Sequence, residues 1–311
     1  MNSIFQTSEV IVSENQFVAE FSNSVTLYIK REDLLHSEVS GNKFRKLKYS
    51  LLKASELKKD YLLTFGGAHS NHIAATAAAG KLEGISTIGF IRGDELEFLK
   101  EKWSPTLKYA DSCGMKLTFI SREAYRRKET LSFLNEIRSQ FPNAMIIPEG
   151  GTSELAIKGC EEILSETDGE YHYICTSVGT GGTMAGLVNA SLSHQNILGF
   201  SALKSEHLSE EIKRMTTNTN WSINTDYHFG GYAKTSAELI QFINDFFRKT
   251  GIKLDPVYTG KLLFGIFELA QINYFPKGSK ILAIHTGGLQ GIEGINERLR
   301  KKAQPQIITE L

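Results

Sequence analysis

The stretches Lys30-Arg-Glu-Asp33 and Ser40-Gly-Asn-Lys43-Phe-Arg-Lys46-Leu47 decide the fold of this chain. They place Lys43 at the start of a predicted helix, behind a small flexible turn in which Asn42 is the expected helix cap. The positive N-terminal end of a helix disfavours another positive charge, so Lys43 should lose its proton more readily than a surface lysine. A neutral lysine amine is what Schiff-base chemistry with a carbonyl cofactor requires.

A glycine-rich turn follows the apolar run at 173–178 and precedes another predicted helix. Such a turn aims backbone N–H groups at one point near the positive end of the helix dipole, which favours binding of a phosphate. The turn is not a dinucleotide fingerprint, because Met184 stands where that motif needs its last glycine, and it is not a P-loop, because no Gly-Lys-Ser/Thr follows. A Cβ added at Gly181 should crowd the phosphate or force an unfavourable backbone angle. The predicted phosphate contacts are Gly179, Thr180, Gly181, Gly182 and Thr183.

A third segment, Phe65-Gly-Gly-Ala-His-Ser-Asn-His72, joins an apolar run to an alanine-rich predicted helix. Ser70 and Asn71 lie at the N-terminus of that helix, where free N–H groups can hold a carboxylate. We assign no proton-transfer role to His69 or His72, because a histidine that opens a helix is usually only a polar neighbour of the cap.

Each segment also has a simpler interpretation. Lys43 would then be a solvated lysine on a basic helix face, beside Lys46 and Lys48. The glycine-rich turn would be a tight strand-to-helix connection packed on a sheet, and Asn71 would be a plain helix cap without a ligand. The order in which the segments occur decides between the two sets of interpretations.

In this order the segments resemble a pyridoxal-phosphate enzyme of the tryptophan-synthase-β fold type, and most closely the family of 1-aminocyclopropane-1-carboxylate deaminase and D-cysteine desulfhydrase. The resemblance spans about residue 26 to about residue 290, nearly the whole chain. Each motif is weak alone, but together and in order they are highly specific. The matching motifs are KRED with SGNKFRKL, FGGAHSNH, SVGTGGTMAGL, DPVYTGK at 255–261 and IHTGG at 284–288.

The resemblance implies a role for each matching residue. Lys43 would carry pyridoxal 5'-phosphate covalently, and Asn71 would hydrogen-bond its phenolic oxygen. Ser70, with nearby backbone N–H groups and Asn71, would bind the substrate carboxylate. Tyr232 would lie beside the cofactor ring, and Tyr258 would face the substrate as a catalytic residue. A tyrosine after Pro-Val is more often a core residue, but two tyrosines that both match in context favour the catalytic interpretation.

Two positions divide the two activities of the family. The resemblance implies that enzymes that open the cyclopropane ring carry Glu and Leu where this chain has Thr259 and Thr286. A carboxylate at the pyridine nitrogen of the cofactor deepens its electron sink, whereas a threonine hydroxyl gives only a neutral hydrogen bond. A shallower sink suffices when a good leaving group departs from the β-carbon. The sequence therefore favours α,β-elimination from a small amino acid such as D-cysteine, giving pyruvate, ammonia and sulfide.

Three alternatives stay open at this point. The chain could be a 1-aminocyclopropane-1-carboxylate deaminase, which forms 2-oxobutanoate and ammonia. It could be a catalytically silent protein that binds pyridoxal phosphate or an amino acid. A sugar-phosphate isomerase on a similar scaffold would need the phosphate loop but not Lys43.

Composition excludes several other classes of function. The 311 residues include 35 Lys+Arg and 35 Asp+Glu, so the net charge indicates neither nucleic acid nor an anionic membrane as a partner. The first residues have neither a basic region nor a long apolar run, no stretch is long and apolar enough to span a membrane, and His-rich or Cys-rich metal spacings are absent. The scattered Cys113, Cys160 and Cys175 indicate free thiols in a reducing compartment, and we expect a cytoplasmic protein. The family resemblance adds the expectation of a homodimer.

Strands alternate with helices along the chain, which predicts an α/β fold with two open, twisted, mostly parallel sheets covered by helices. By resemblance, a large cofactor-binding domain comprises 1–47 and 154–311, a small domain at 48–153 is inserted into it, and the active site lies in the cleft between them. The predicted strands are 25–30, 61–65, 86–91, 116–120, 144–147, 173–177, 196–202 and 280–284. The predicted helices are 44–58, 70–82, 104–113, 128–140, 154–166, 182–192, 235–250 and 259–271.

Overall fold

A computed structural model describes residues 4–5, 11–204 and 207–310, and within these ranges the chain forms ten strands and eleven α-helices. The strands are β1 Asn15–Glu20, β2 Thr26–Lys30, β3 Tyr61–Gly66, β4 Ser86–Arg92, β5 Lys116–Ile120, β6 Ala144–Ile147, β7 Tyr173–Val178, β8 Asn196–Ser201, β9 Trp221–Asn224 and β10 Lys280–Ile284. The helices are α1 Asn42–Glu56, α2 Asn71–Glu83, α3 Pro105–Ser112, α4 Arg122–Arg126, α5 Leu131–Gln140, α6 Glu154–Glu161, α7 Gly182–Ala190, α8 Leu208–Met215, α9 Ala237–Thr250, α10 Thr259–Gln271 and α11 Gly291–Lys301.

The strands form two sheets, as predicted. The larger sheet has the order β1-β2-β10-β7-β8-β9, and only its edge strand β1 runs antiparallel to its neighbour. The smaller sheet has the order β5-β4-β3-β6 and is parallel throughout. Parallel sheets need helical crossovers on their faces, which explains the alternation along the chain. The predicted α/β class with two open, mostly parallel sheets is confirmed.

All four strands of the smaller sheet lie between residues 61 and 147, and the larger sheet takes strands from both sides of that segment. This topology agrees with an inserted small domain, and we keep the boundaries 48–153, 1–47 and 154–311 as a proposal. Within the proposed large domain, residues 1–3, 6–10, 205–206 and 311 lie outside the described ranges.

The boundaries of several elements differ from the sequence prediction. The helix predicted at 154–166 ends at Glu161, and a short 3-10 helix, Glu166–Glu170, follows after a turn. The prediction missed β1, β9, α4, α8 and α11. Of these, β9 and α4 have four and five residues, too few for a period to show in the sequence.

Buried ion pairs at the KRED stretch hold α1 in place. Lys30 Nζ lies 2.9 Å from Asp168 Oδ2, and Arg45 of α1 donates from Nε to Glu32 Oε2 at 2.9 Å. All four side chains are at most 1% exposed. Removing one member of such a pair leaves a buried charge without a partner and costs about 3–5 kcal/mol. The pair of Glu32 with Arg45 therefore fixes the helix that carries Lys43, and the pair of Lys30 with Asp168 fixes the stretch itself.

Two glycines let three helices pack closely beneath the site. A Cβ at Gly159 of α6 would lie 2.0 Å from the carbonyl oxygen of Arg45 in α1. A Cβ at Gly186 of α7 would lie 2.5 Å from Cys160 Cβ in α6. Because α6 contacts both neighbours at backbone distance, the N-terminal ends of α1 and α7 have a fixed relative position. Lys43 lies at the first of these ends, and the glycine-rich turn lies at the second.

Cys113, Cys160 and Cys175 are buried free thiols, as predicted. Within the described ranges, no helix has the length and apolar character needed to cross a membrane.

Candidate active site

A cavity of about 530 Å³ opens where the carboxyl ends of strands from both sheets meet. The loops after β3, β6, β7, β8 and β10 contribute to its lining, as does the N-terminal end of α1. Ligand sites of open α/β sheets lie at this edge, because the loops and helix N-termini converge there. Every residue assigned to the site from the sequence lines this one cavity, namely Lys43, Ser70, Asn71, Gly179, Thr180, Gly181, Gly182, Thr183, Tyr232, Tyr258 and Thr286.

Lys43 presents its amine to the cavity from the first turn of α1. Its Nζ donates to Asn42 Oδ1 at 3.2 Å. Burial by protein on the remaining sides lowers the pKa of Lys43 to about 8, although the nearby Cys160 and Asp255 oppose the shift. Burial is therefore the main cause, rather than the helix end suggested by the sequence. The predicted cap was also wrong, because the N-cap is Gly41 and the Asn42 amide donates from Nδ2 to Thr183 Oγ1 at 2.7 Å.

The alternative of a solvated basic helix face is wrong, because both neighbouring lysines are buried. Lys48 pairs with Glu162 at 2.7 Å. Lys46 is 2% exposed, lines the cavity, and donates from Nζ to the carbonyl oxygen of Gly150 at 2.6 Å and to Thr152 Oγ1 at 3.0 Å. Burial and then the charge of Lys43 lower the pKa of Lys46 to about 7. Sequence reasoning missed this second cavity lysine.

The glycine-rich turn forms an open helix N-terminus. Gly181 is the N-cap of α7 with φ +79°, and no side chain caps this helix. The N–H of Ala185 donates to the carbonyl oxygen of Gly181 at 2.9 Å, and this is the first backbone hydrogen bond of the helix. The N–H groups that precede it have no backbone acceptor, so they are free to bind an anion. A Cβ at Gly181 would lie 2.8 Å from Ile212 Cγ1, and Ile212 is not part of the cavity lining. Of the two effects expected for a Cβ at Gly181, the unfavourable backbone angle agrees with φ, and the added carbon would meet Ile212.

The turn after β3 places Ser70 and Asn71 at the N-terminus of α2. Ser70, rather than Asn71, is the cap, because its Oγ accepts from the N–H of Ile73 at 3.3 Å. Asn71 Oδ1 is buried and has no hydrogen-bond partner within the described ranges. The Nδ2 atom of the same amide lies close to Gly288, since a Cβ built on Gly288 would be only 2.7 Å from it. The Asn71 amide is thus a polar group in the cavity wall without a full set of protein partners.

His72 is neutral, and its tautomer follows from its partner. Thr64 Oγ1 donates its one proton to the carbonyl oxygen of Ile147 at 2.9 Å, so His72 Nε2 must donate to Thr64 Oγ1 at 2.8 Å. Nδ1 is then an acceptor, and it has no partner in the described part of the chain. Burial, with the charges of Lys43 and Lys46, holds the pKa of His72 well below its ordinary value.

Tyr232 and Tyr258 lie edge to face, with ring centroids 6.2 Å apart. Burial raises the pKa of Tyr258 well above its ordinary value, so its hydroxyl stays protonated. Asp255, to which the sequence analysis gave no role, holds the backbone of Tyr258. Its Oδ2 accepts from the N–H groups of Val257 and Tyr258 at 2.8 and 2.9 Å, and its Oδ1 accepts from the N–H and hydroxyl of Thr259, both at 2.8 Å.

The loop that carries Tyr232 has a strained backbone held by two cations. Phe229 and Ala233, on either side of Tyr232, have φ of 53° and 54°. The buried Lys261 donates from Nζ to the carbonyl oxygens of His228 and Gly231 at 2.9 and 2.8 Å. Arg298 donates from Nη2 to the carbonyl oxygen of Ala233 at 2.7 Å. These bonds fix the position of the Tyr232 ring at the mouth of the cavity, where 45% of the side chain is exposed.

Only one of the two threonines that divide the family activities lines the cavity. Thr286 is 7% exposed, and its hydroxyl lies 3.3 Å from Ser177 Oγ. Thr259 is fully buried behind the wall, and its hydroxyl is committed to Asp255. The position at which the resemblance implies Glu in ring-opening enzymes is thus behind the cavity wall, where Thr259 can act only through Asp255 and Tyr258. Thr286 occupies the position at which the resemblance implies Leu, and it is the threonine that reaches the cavity.

The donor set of the cavity fits pyridoxal phosphate. An open helix N-terminus and Lys46 suit its phosphate, the incompletely paired Asn71 amide suits its phenolic oxygen, and the Lys43 amine suits its aldehyde. No group of His, Cys, Asp and Glu side chains within the described ranges could hold a metal ion.

Comparisons with known proteins agree with this fit. A sequence model of the family described as "Pyridoxal-phosphate dependent enzyme" matches residues 11–287. A protein of Pyrococcus horikoshii, named provisionally as a 1-aminocyclopropane-1-carboxylate deaminase, is 30% identical over 310 residues, covering 91% of each chain. The mitochondrial bifunctional D-cysteine desulfhydrase/1-aminocyclopropane-1-carboxylate deaminase of Arabidopsis thaliana is 28% identical over 87% of this chain and 74% of its own length.

Solved structures show the same architecture. The crystal structure of an ACC deaminase homologue superimposes with a TM-score of 0.80 at 27% identity, covering 97% of this chain and 99% of the other. O-ureido-L-serine synthase superimposes with a TM-score of 0.67 at 13% identity, covering 93% of both chains. At that identity the second likeness concerns the fold alone.

Proposed function

This chain belongs to the family of pyridoxal-phosphate-dependent enzymes, and from that premise we propose that it catalyses α,β-elimination from a small β-substituted amino acid. D-cysteine is the first candidate substrate. With one water, it would give pyruvate, ammonia and sulfide. The name of the Arabidopsis relative supports this choice, since it includes D-cysteine desulfhydrase.

The observation that carries the proposal is the neutral pair of hydroxyls formed by Ser177 and Thr286 in the cavity wall. We assign Thr286 as the residue that would face the ring nitrogen of the cofactor, where its hydroxyl would give a neutral hydrogen bond. One carboxylate lines the described cavity, that of Glu149, and it is paired with Lys128 at 3.0 Å. A neutral partner suits a reaction in which a thiol leaves the β-carbon, and it suits ring opening less well.

The cavity residues divide the task of holding the cofactor. Lys43 would bind it covalently, Asn71 would bind its phenolic oxygen, and Tyr232 would lie beside its ring. The phosphate would lie against 179–183, with Lys46 supplying positive charge. When bound, pyridoxal phosphate supplies an electron sink for the charge that develops at the substrate Cα.

The side chains of this chain would carry out the proton transfers. Ser70 and the free N–H groups at the start of α2 would hold the substrate carboxylate. Burial lowers the pKa of the Lys43 amine to about 8 in the protein without cofactor, and this amine would take the Cα proton in the reaction. Tyr258, which stays protonated, can orient the substrate or donate its proton, and correct placement is worth several orders of magnitude in rate.

Ring opening of 1-aminocyclopropane-1-carboxylate is the second candidate function. The name given to the Pyrococcus relative favours it. A catalytically silent binding protein would load with cofactor yet release no keto acid. The sugar-phosphate isomerase is set aside by the family match, which covers Lys43 and the phosphate loop together.

Two coarser properties belong to the same proposal. We propose that the protein works in the cytoplasm, where its buried free thiols would stay reduced. We also propose that it forms a homodimer, as its family resemblance suggests.

The deciding experiment assays one cofactor-loaded preparation with D-cysteine, L-cysteine, β-chloro-D-alanine and 1-aminocyclopropane-1-carboxylate. Pyruvate and 2-oxobutanoate are separated and quantified. We expect pyruvate from D-cysteine or β-chloro-D-alanine to dominate. Dominant 2-oxobutanoate would favour the second candidate, and no keto acid from any of the four would favour the silent binder.

A further inference from the structure

Arg92 is a cavity residue that the proposed reaction does not use. It is the last residue of β4, which pairs in parallel with β3 so that Ile91 is opposite Gly66. Arg92 therefore stands beside Gly67, at the carboxyl edge of the smaller sheet, and its side chain lines the same cavity as Lys43. Its Nη2 would lie 3.4 Å from a Cβ built on Gly67. The guanidinium is thus next to the turn that carries Ser70.

An aromatic ring holds the Arg92 guanidinium in place. The guanidinium carbon lies 5.6 Å from the ring centroid of Tyr125, which is 4% exposed. Tyr125 belongs to α4, whose N-terminus is capped by Ser121. A cation–π contact with a buried ring restricts the guanidinium before a ligand arrives, so the side chain loses less entropy on binding.

Arg92 is the one lysine or arginine of the described cavity lining whose charged group has no hydrogen bond to the protein. Lys43 and Lys46 both donate to protein oxygens. The Arg92 side chain makes neither a hydrogen bond nor an ion pair with the described residues. The nearest cavity carboxylate, Glu149, is engaged by Lys128 at 3.0 Å. Five N–H donors in a planar fork are therefore available to a ligand.

Arg92 lies at the outer end of the cavity. Its side chain is exposed, like the Tyr232 ring at the mouth. Burial raises the pKa of Tyr232, and the positive charge of Arg92 partly opposes this shift. The deep end, by contrast, holds Lys46 and His72, each 2% exposed. A substrate whose Cα faces Lys43 and whose carboxylate is bound at Ser70 leaves Arg92 free for a different anionic group.

We propose that Arg92 is a specificity-determining residue that binds a carboxylate on the part of the substrate beyond the β-carbon. The preferred substrates would then be β-substituted alanines with an acidic substituent. This inference rests on the proposed elimination. In that reaction the Cα proton is removed, the bond from Cβ to sulfur breaks, and the sulfur keeps the electron pair, takes up one proton and leaves as a thiol that carries the carboxylate. Hydrolysis of the remaining three-carbon fragment gives pyruvate and ammonia.

The test compares two probes of nearly equal shape, S-carboxymethyl-cysteine and its neutral amide S-carbamoylmethyl-cysteine, each in D and L form. The measured quantity is the ratio of kcat/KM for the acid to kcat/KM for the amide. We expect the ratio to exceed one in the wild type and to fall about tenfold in Arg92→Gln, as for loss of one charge-assisted hydrogen bond. The change should appear mainly in KM, because the contact is remote from the reacting bonds.

Two further variants sharpen the result. Arg92→Lys keeps the charge but loses the planar fork, so its ratio should lie between those of the wild type and Arg92→Gln. Arg122→Gln is the matched control, because Arg122 is 65% exposed, pairs with Glu95 and is not part of the cavity lining. The control should leave the ratio at its wild-type value.

Failure of this inference can be told apart from failure of the proposed function. Pyruvate from D-cysteine or β-chloro-D-alanine reports on elimination independently of the two probes. If nothing is turned over, titrating the probes against the visible absorbance of the cofactor-loaded protein gives two dissociation constants, and the same ratio is taken from them. A ratio that is unchanged in Arg92→Gln overturns the inference. An equal loss of kcat/KM for the acid and the amide also overturns the inference, since Arg92 would then act on the α-carboxylate that both probes share. A wild-type protein that binds neither probe overturns it as well.

Discussion

The lowered pKa of Lys43 predicts how fast the apo-protein captures its cofactor at each pH. Only the neutral amine attacks an aldehyde. With a pKa of about 8, about one Lys43 in ten is neutral at pH 7, whereas at the ordinary value of 10.5 it would be about one in three thousand. Burial therefore raises the reactive fraction about 300-fold at neutral pH.

The measurement is the initial rate of pyridoxal phosphate capture by apo-protein, followed by visible absorbance between about pH 6 and about pH 10. The rate should rise about tenfold per pH unit and level off near pH 8. Titration of the cofactor itself is controlled by mixing pyridoxal phosphate with a simple alkylamine. The rate of that reaction should keep rising towards about pH 10, because the alkylamine has an ordinary pKa. Borohydride should fix the label on the peptide that contains Lys43.

Two results would refute this reasoning. A capture rate that rises without a break to about pH 10 would mean that Lys43 has an ordinary pKa, so burial would not activate it. A Lys43→Ala variant that still carries reducible, covalently bound cofactor would remove Lys43 from the reaction altogether.

Three substitutions test the supports of the site. The amide in Asp255→Asn cannot accept all four hydrogen bonds, so we expect the free energy of unfolding to fall by about 2 kcal/mol in a denaturant titration. We also expect kcat to fall, because Tyr258 loses its position. Lys261→Met leaves two carbonyl oxygens without a donor, so KM should rise in steady-state assays, and Lys261→Arg should restore part of the loss. Gly181→Ala should cost about 1–2 kcal/mol of stability and weaken cofactor binding in a titration, because φ is +79°. Gly251→Ala, at φ +71° with open space around it, is the matched control and should lose stability but keep its cofactor affinity.

The sequence predicted the parts of the fold that have a strong local signal. Apolar runs between glycine-rich turns and helical periods identified eight strands and eight helices, and their alternation indicated the two parallel sheets. The missed helix α11 begins with Gly291 and contains Gly294, and two glycines lower the intrinsic helix propensity. Burial of Ile292, Ile295 and Leu299 stabilises it instead, and this packing depends on distant segments.

The site was predictable to the extent that its residues belong to short motifs. The three loops were recognisable because each ends a strand and opens a helix. The burial of Lys46 was not recognisable, since its partner Gly150 lies 104 residues away. Arg92 was missed for a similar reason, because it ends an ordinary strand and enters the cavity only through the pairing of β4 with β3. The role of Asp255 is local, but four backbone and side-chain donors converge on it only once α10 has formed.

The two cavity lysines also couple cofactor binding to the stability of the fold. Burial lowers the pKa of Lys43 to about 8 and that of Lys46 to about 7, whereas both would have the ordinary value of 10.5 in the unfolded chain. Between the folded and the unfolded pKa, the unfolded chain therefore binds more protons than the folded chain. The free energy of unfolding therefore rises with pH across that window, and below about pH 7 the folded chain bears the whole penalty of two protonated, buried amines. An anion at the N-terminus of α7 offsets this penalty, because a negative charge raises the pKa of both Lys43 and Lys46. The phosphate of the cofactor would thus be a structural ligand of this cavity, and it would stabilise the fold most where Lys46, which stays a free amine, carries its proton.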